Sequence, residues 1–139
     1  TDKENIVPMG TVNDPVDTWD DSLSVHGYLT IVYTVEDTDE ELYGDEYLLK
    51  SVNGKWIIDD TSVSILDRNV VMVCRDFTDY SQRIEKYPSS NQFSYNTGFT
   101  YAVNEYMTYG MVGAVSTATL EHGTSTWEFE LQNYIINNN

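Results

Sequence analysis

The chain has 139 residues and a formal net charge of −16, from 23 acidic and seven basic side chains. A chain of this length is expected to form one domain with a sizeable core. Its acidic surface repels phosphate backbones and anionic lipid, and no apolar segment approaches the length of a membrane span, so nucleic acid and membranes are disfavoured as partners.

The composition favours strands over helices. Val, Ile, Thr and Tyr are frequent, and there are eleven Tyr and three Trp. The acidity is uneven, because fifteen of the acidic residues fall within residues 1–60. We interpret it as a determinant of solubility or as a sign of a salty or calcium-rich setting, and an acidic decoy that occupies a basic partner is the alternative.

Residues 1–21 are polar, contain two prolines and several Asp, and predict an extended polar arm. Three apolar residues in it are candidates to pair with the sheet edge of a neighbouring molecule, namely Ile6, Val7 and Met9. Residues 22–139 are predicted to form a single β-rich domain.

Residues 22–36 alternate between apolar and polar side chains, which predicts a long half-buried strand. Within it, Gly27 marks a bulge or a close backbone contact.

The acidic turn that follows contains the candidate metal ligands Asp37, Asp39 and Glu41. Their spacing imitates the start of an EF-hand loop, but Leu42 stands where that loop needs Gly and Leu48 where it needs Glu. A solvated turn is therefore the preferred interpretation, and calcium is the one cofactor candidate. One Cys and two distant His make zinc unfavourable.

Asn53-Gly54 lies between apolar β-forming residues, which is the strongest short signal for a hairpin. It predicts strands over 46–52 and 55–59, with Trp56 anchored in the core.

The run Tyr47-Leu48-Leu49-Lys50 through Asn53-Gly54-Lys55-Trp56-Ile57-Ile58 resembles the last hairpin of NTF2-like (SnoaL-like, cystatin-like) domains, and the strand over 22–36 fits the same arrangement. The resemblance covers residues 22–60 and implies an α+β fold with a conical pocket for a small ligand. That family places helices before its sheet and closes with this hairpin, whereas nearly 80 residues follow it here. No catalytic residue of the family has a counterpart in this chain.

Further along the chain, strands are predicted over 62–66 and 70–77, with a turn at 67–69. Residues 78–87 predict one helix, because Thr78 is a plausible N-cap and Pro88 would stop the run.

Residues 99–111 fit either a strand or a helix, and strand is preferred because Thr and Tyr dominate. Residues 112–121 and 124–136 predict a second hairpin across a His-Gly turn, with Trp127 and Phe129 on its dry face. The fold class predicted is mainly β: an antiparallel sandwich-like or strongly bent sheet with one or two short helices, the alternative being the α+β NTF2-like fold.

No residue is predicted to be catalytic. Cys74 lies in an apolar run and is expected to be a buried, inert thiol. His26 and His122 fall on a strand surface and at a turn, and no nucleophile motif accompanies either of them. We therefore predict a protein that is not an enzyme.

The many aromatic residues cannot all be buried, so some are expected to form an interface, with Tyr101 and Tyr109 as candidates. The predicted function is a non-catalytic binding or structural module of a cell-surface, secreted or virion assembly, which self-associates or binds a surface partner. The alternatives are an NTF2-like small-ligand protein, an acidic decoy and a carbohydrate-binding module. The chain begins at Thr1 rather than Met, which indicates a processed or trimmed protein and is compatible with an extracellular location.

Overall fold

The computed structural model describes residues 10–38 and 42–139, and in these ranges every regular element is a β-strand. The strands are β1 (Gly10–Trp19), β2 (Val25–Glu36), β3 (Glu46–Ile58), β4 (Ser64–Arg75), β5 (Arg83–Lys86), β6 (Gln92–Asn96), β7 (Val103–Asn104), β8 (Met111–His122) and β9 (Ser125–Asn137). The predicted mainly β class is therefore confirmed. The short helices are not seen in the described residues, and the alternative α+β class is not adopted.

The strands form two antiparallel sheets. The first sheet has the order β1-β2-β3-β6, with β7 paired to the start of β3, and the second sheet has the order β5-β4-β8-β9. Their apolar faces pack against each other, so the sandwich-like architecture is also confirmed.

One core lies between the sheets, because each long strand alternates between a buried and a wetter face. Val25, Leu29 and Ile31 of β2 are fully buried and belong to the same cluster as residues of β8 and β9. Of the residues predicted for the core, Trp56 and Phe129 are buried in this cluster, and Trp127 packs half-buried at its margin.

The predicted hairpin turn at Asn53-Gly54 is wrong, because β3 continues through both residues without a break. Gly54 pairs with Leu29 on one side and Phe93 on the other, and its φ lies outside the left-handed region. A side chain here would overlap the carbonyl oxygen of Tyr28, and its Cβ would lie 2.7 Å from Phe93 Cζ. Glycine is therefore needed for close packing within a strand and not for a turn.

The predicted helix over 78–87 is also wrong. Its second half contains β5, which pairs with β4 from Val70 to Val73. Ile84 packs against the core, whereas Tyr80 and Tyr87 are exposed. The three residues have helical spacing in the sequence, but they do not share a buried face. Pairing with the edge of β4 supplies backbone partners that local helix signals cannot anticipate.

Two other local predictions change. No turn occurs at 67–69, since β4 continues there after an irregularity between Ile65 and Asp67. Within 99–111, the only described strand residues before Met111 are those of β7. The second hairpin is confirmed, because β8 and β9 pair from Met111 to Asn137.

The region predicted as a polar arm contains β1, which pairs with β2 from Gly10↔Val35 to Trp19↔His26. The arm residues Ile6, Val7 and Met9 lie outside the described residues.

The connections collect at two opposite ends of the sandwich. One end has the loop after β2, the loop after β4 and residues 97–110 between β6 and β8. The other end has the β1–β2, β3–β4, β5–β6 and β8–β9 connections.

Asp20 joins the two sheets at this second end. Its carboxylate accepts the N–H groups of Ser24 and Val25 at 2.7 and 2.8 Å, and the indole N–H of Trp127 from β9 at 3.2 Å. Burial opposes ionisation of Asp20, but its hydrogen bonds, led by those from Ser22 and Val25, outweigh this and lower its pKa from 3.8 to about 2.

We predict that Gly54→Ala destabilises the protein by about 3 kcal/mol, because the new methyl group overfills the contact with Tyr28 and Phe93. Urea unfolding measures the loss. Gly10→Ala is the matched control, since a Cβ on Gly10 meets nothing within 4 Å. Equal stability of the two variants would contradict the continuous packing of β3.

We predict that Asp20→Asn lowers the free energy of unfolding at pH 7 by about 2 kcal/mol. The difference from the wild type should shrink as pH falls from about 4 towards 2, because the wild-type carboxylate becomes protonated there. Urea unfolding at several pH values tests this, with Asp21→Asn on the exposed side of the same turn as control. A difference that stays constant down to pH 2 would contradict it.

Candidate functional site

Large apolar side chains stand exposed on the loops at one end of the sandwich. Half of the exposed large hydrophobic residues described in the protein are found there, between 41% and 73% exposed. We call this set the aromatic end: Leu42, Tyr43, Phe77, Tyr80, Tyr106 and Tyr109. Exposed apolar side chains collected at one end of a domain are typical of an interaction site.

Backbone hydrogen bonds join the loops of the aromatic end. The N–H of Tyr106 donates to the carbonyl of Tyr43 at 3.0 Å, and the N–H of Phe77 donates to the carbonyl of Thr108 at 3.1 Å. The segment 104–110 therefore connects the loop after β2 with the loop after β4, and the six side chains share one end surface.

Asp76 holds the loop after β4 from beneath. This carboxylate is 1% exposed and accepts hydrogen bonds from the Thr78 N–H at 2.8 Å and the Tyr101 hydroxyl at 3.0 Å. Tyr101, predicted as an interface residue, is half-buried and turned towards this carboxylate. It supports the loop from below, and its role at an interface stays a prediction.

Gln82 is a second buried anchor. Its amide N–H2 donates to the carbonyls of Cys74 and Tyr101 at 2.7 Å, and its amide oxygen accepts the N–H groups of Thr100 and Tyr101 at 2.9 and 3.0 Å. Both donors and both acceptor lone pairs of this side-chain amide are thereby satisfied. Two loops that are distant in sequence are tied together below the exposed aromatic residues.

Tyr109, the other predicted interface residue, is 51% exposed at the aromatic end. Its φ of 59° lies in the left-handed region, which is unfavourable for a bulky residue and requires support from its surroundings. That support comes from Met107, whose carbonyl accepts the Gly110 N–H at 3.0 Å and the Asn138 side-chain N–H at 3.1 Å.

Acidic side chains surround the aromatic end. Asp45 and Glu46 lie at the start of β3, Glu105 lies beside them, and Asp79 lies on the loop after β4. Burial, followed by the charges of Glu105 and Asp45, raises the pKa of the Tyr47 hydroxyl, as expected in a negative potential. The guanidinium of Arg75 lies over the Tyr80 ring at 5.5 Å.

A second group of aromatic rings lies on the outer face of the first sheet. Trp19 stacks on His26 at 4.5 Å, His26 stacks on Tyr28 at 4.3 Å, and Lys55 Nζ lies 4.9 Å from the Tyr28 ring centre. His26 Nε2 is also 2.7 Å from Asp17 Oδ2. These rings cover one another's faces, so they offer a partner less open ring surface than the aromatic end does.

The candidate metal ligands are only partly described. Asp37 is exposed, whereas Asp39 and Glu41 lie outside the described residues. Among residues 10–38 and 42–139, no three His, Cys, Asp or Glu side chains are grouped to hold a metal ion. Calcium at this turn stays a prediction.

The sequence indicates Tyr109 as an interface residue but gives no such indication for Phe77 or Tyr80. The predicted helix over 78–87 assigned Tyr80 to an apolar face, and no local pattern shows that loops 30 residues apart meet. The signal that could have indicated the site was the number of Tyr residues in segments rich in Asp, Asn and Gly.

No protein-family model, curated protein or solved structure matches this chain. Over the described residues, there is no helix with the length and hydropathy needed to cross a membrane.

We predict that the Cys74 thiol does not react with an alkylating reagent in the native protein at pH 8. The side chain is fully buried, and burial, the main cause, raises its pKa to about 11, so the thiolate is scarce. Mass spectrometry after iodoacetamide treatment, with and without urea, measures the difference. Equal modification in both conditions would contradict the burial of this thiol.

Proposed function

We propose that the protein is a non-catalytic binding module that docks a protein partner through its aromatic end. The observation that carries this proposal is the concentration of exposed Tyr, Phe and Leu side chains on loops that are fixed from below. Tyr provides a large contact area at a low cost in conformational entropy, and fixed loops lose little further entropy on binding.

The charges around this surface indicate what kind of partner would fit. Asp45, Glu46, Glu105 and Asp79 form an acidic rim, and such a rim favours a partner with basic residues around an apolar centre. Contact between the aromatic ends of two copies would bring like charges together. A different protein therefore suits this surface better than a second copy of the chain.

The setting we propose is a cell-surface, secreted or virion assembly. The support is the acidic composition together with a sandwich that places its binding loops at one end.

A photo-crosslinking amino acid in place of Tyr106 tests the proposal in the cells that naturally make the protein. We expect covalent adducts with one protein from position 106 and again from position 43, identified by mass spectrometry. The control is the same amino acid in place of Leu23, which is 68% exposed at the opposite end. Adducts from all three positions alike, or from position 23 alone, would refute it.

The identified partner then separates this proposal from the acidic decoy. We predict that Tyr106→Ser and Tyr109→Ser each weaken its binding by about tenfold or more, because aromatic side chains at an interface centre contribute about 1–3 kcal/mol. Calorimetry measures this at low and high salt. A decoy would lose binding with salt and be insensitive to both substitutions.

A further inference from the structure

A groove of about 500 Å³ lies on the outer face of the second sheet, towards the end opposite the aromatic end. It is bounded by β4, β8, β9 and the β5–β6 connection. Its volume falls within the range typical of small-ligand sites. The lining residues used below are Leu66, Asp67, Tyr87, Thr117, Thr119 and Glu128.

The floor of the groove is a row of polar side chains across three strands. Asp67 pairs with Thr119, and Thr119 pairs with Glu128, so their side chains stand next to one another. The Thr119 hydroxyl donates to Glu128 at 3.0 Å, which orients that carboxylate. Buried Ala118 and Phe129 alternate with this row, so the row faces outward.

Tyr87 forms one wall. It is 71% exposed and follows β5, where the Glu85 carboxylate accepts the side-chain N–H of Asn69 at 2.6 Å. Pro88 follows it and is buried, which fixes the chain beside the ring. No ring or cation of the described residues packs on Tyr87, in contrast to Tyr28, so the faces of its ring are open.

The polar groups of the groove are mainly hydrogen-bond acceptors and hydroxyls. Asp67 and Glu128 supply carboxylate oxygens, and Thr117 supplies a hydroxyl. No hydrogen bond to the Asp67 carboxylate is formed within the described part of the chain, so that carboxylate is available to a ligand. The two carboxylates would repel an anion, whereas the hydroxyl groups of a neutral ligand can donate hydrogen bonds to them.

We infer that this groove binds a neutral saccharide. A pyranose ring has an apolar C–H face that can stack on the open ring of Tyr87 and contact Leu66. Its hydroxyl groups both donate and accept, which matches a floor of carboxylate, hydroxyl and amide groups. Because Thr119 orients the Glu128 carboxylate and buried Pro88 holds the chain next to Tyr87, little ordering is required when the sugar enters.

Titration of ¹⁵N-labelled protein with a fixed panel of neutral sugars tests this inference: cellotriose, maltotriose, lactose, methyl α-mannoside and tri-N-acetylchitotriose. We expect at least one sugar to shift the amide signals of residues 66–69, 87–89 and 117–119 in a saturable manner. The absence of saturable shifts there with every sugar, up to roughly 10 mM, would overturn the inference.

Two variants locate the contact for a sugar that binds. Tyr87→Ala should weaken binding by about tenfold or more through loss of the stacking surface. Asp67→Asn should weaken it less, because an amide keeps one acceptor oxygen.

Tyr80→Ala, which removes an exposed ring at the aromatic end, should leave sugar binding unchanged. Both groove side chains are exposed, so the variants are expected to fold, and melting temperatures check this. Undiminished binding by both groove variants would overturn the inference. The result is independent of the protein partner proposed for the aromatic end.

Discussion

Burial of one face of each sheet is the constraint on which the rest of the structure depends. Strands of alternating polarity have only one dry face, and two such sheets can remove those faces from water only by packing together. Leu29, Val52 and Met72 are fully buried at this contact. The packing of the two faces is close, and it needs glycine at two positions. Gly27 leaves room for the ring of Phe129, and Gly54 leaves room for the ring of Phe93.

The loops at the two ends of the sandwich contain backbone N–H and C=O groups that no neighbouring strand pairs with. Buried side chains form hydrogen bonds with these groups. Asp20 binds the β1–β2 turn and reaches across to Trp127, while Asp76 and Gln82 bind the loops at the opposite end. Buried polar groups of this kind are stable only when fully hydrogen-bonded, so they hold their loops in one conformation. The loops of the aromatic end, which we propose as the binding surface, are among those held in this way.

Local patterns in the sequence predicted the structure correctly where that structure depends on residues close together in the chain. The alternation in 22–36 predicts β2, the apolar run predicts a buried Cys74, and the alternation around Trp127 and Phe129 predicts the second hairpin. Each of these depends on a two-residue period or on strands that are consecutive in the sequence, so the pattern is visible locally. Of the candidate site, the sequence alone identified Tyr109 and the general excess of exposed tyrosine.

Only the tertiary structure decided whether Asn53-Gly54 is a turn or part of a strand. Locally it has the composition of a hairpin turn, but Phe93, some 40 residues later, packs over Gly54 and makes the extended conformation the one that fills the core. The aromatic end has the same origin, because Tyr43, Phe77 and Tyr106 come together through contacts between distant loops. By itself the sequence determined a β-rich chain with one dry face per strand. Which residues share a surface was decided by contacts that no local pattern encodes.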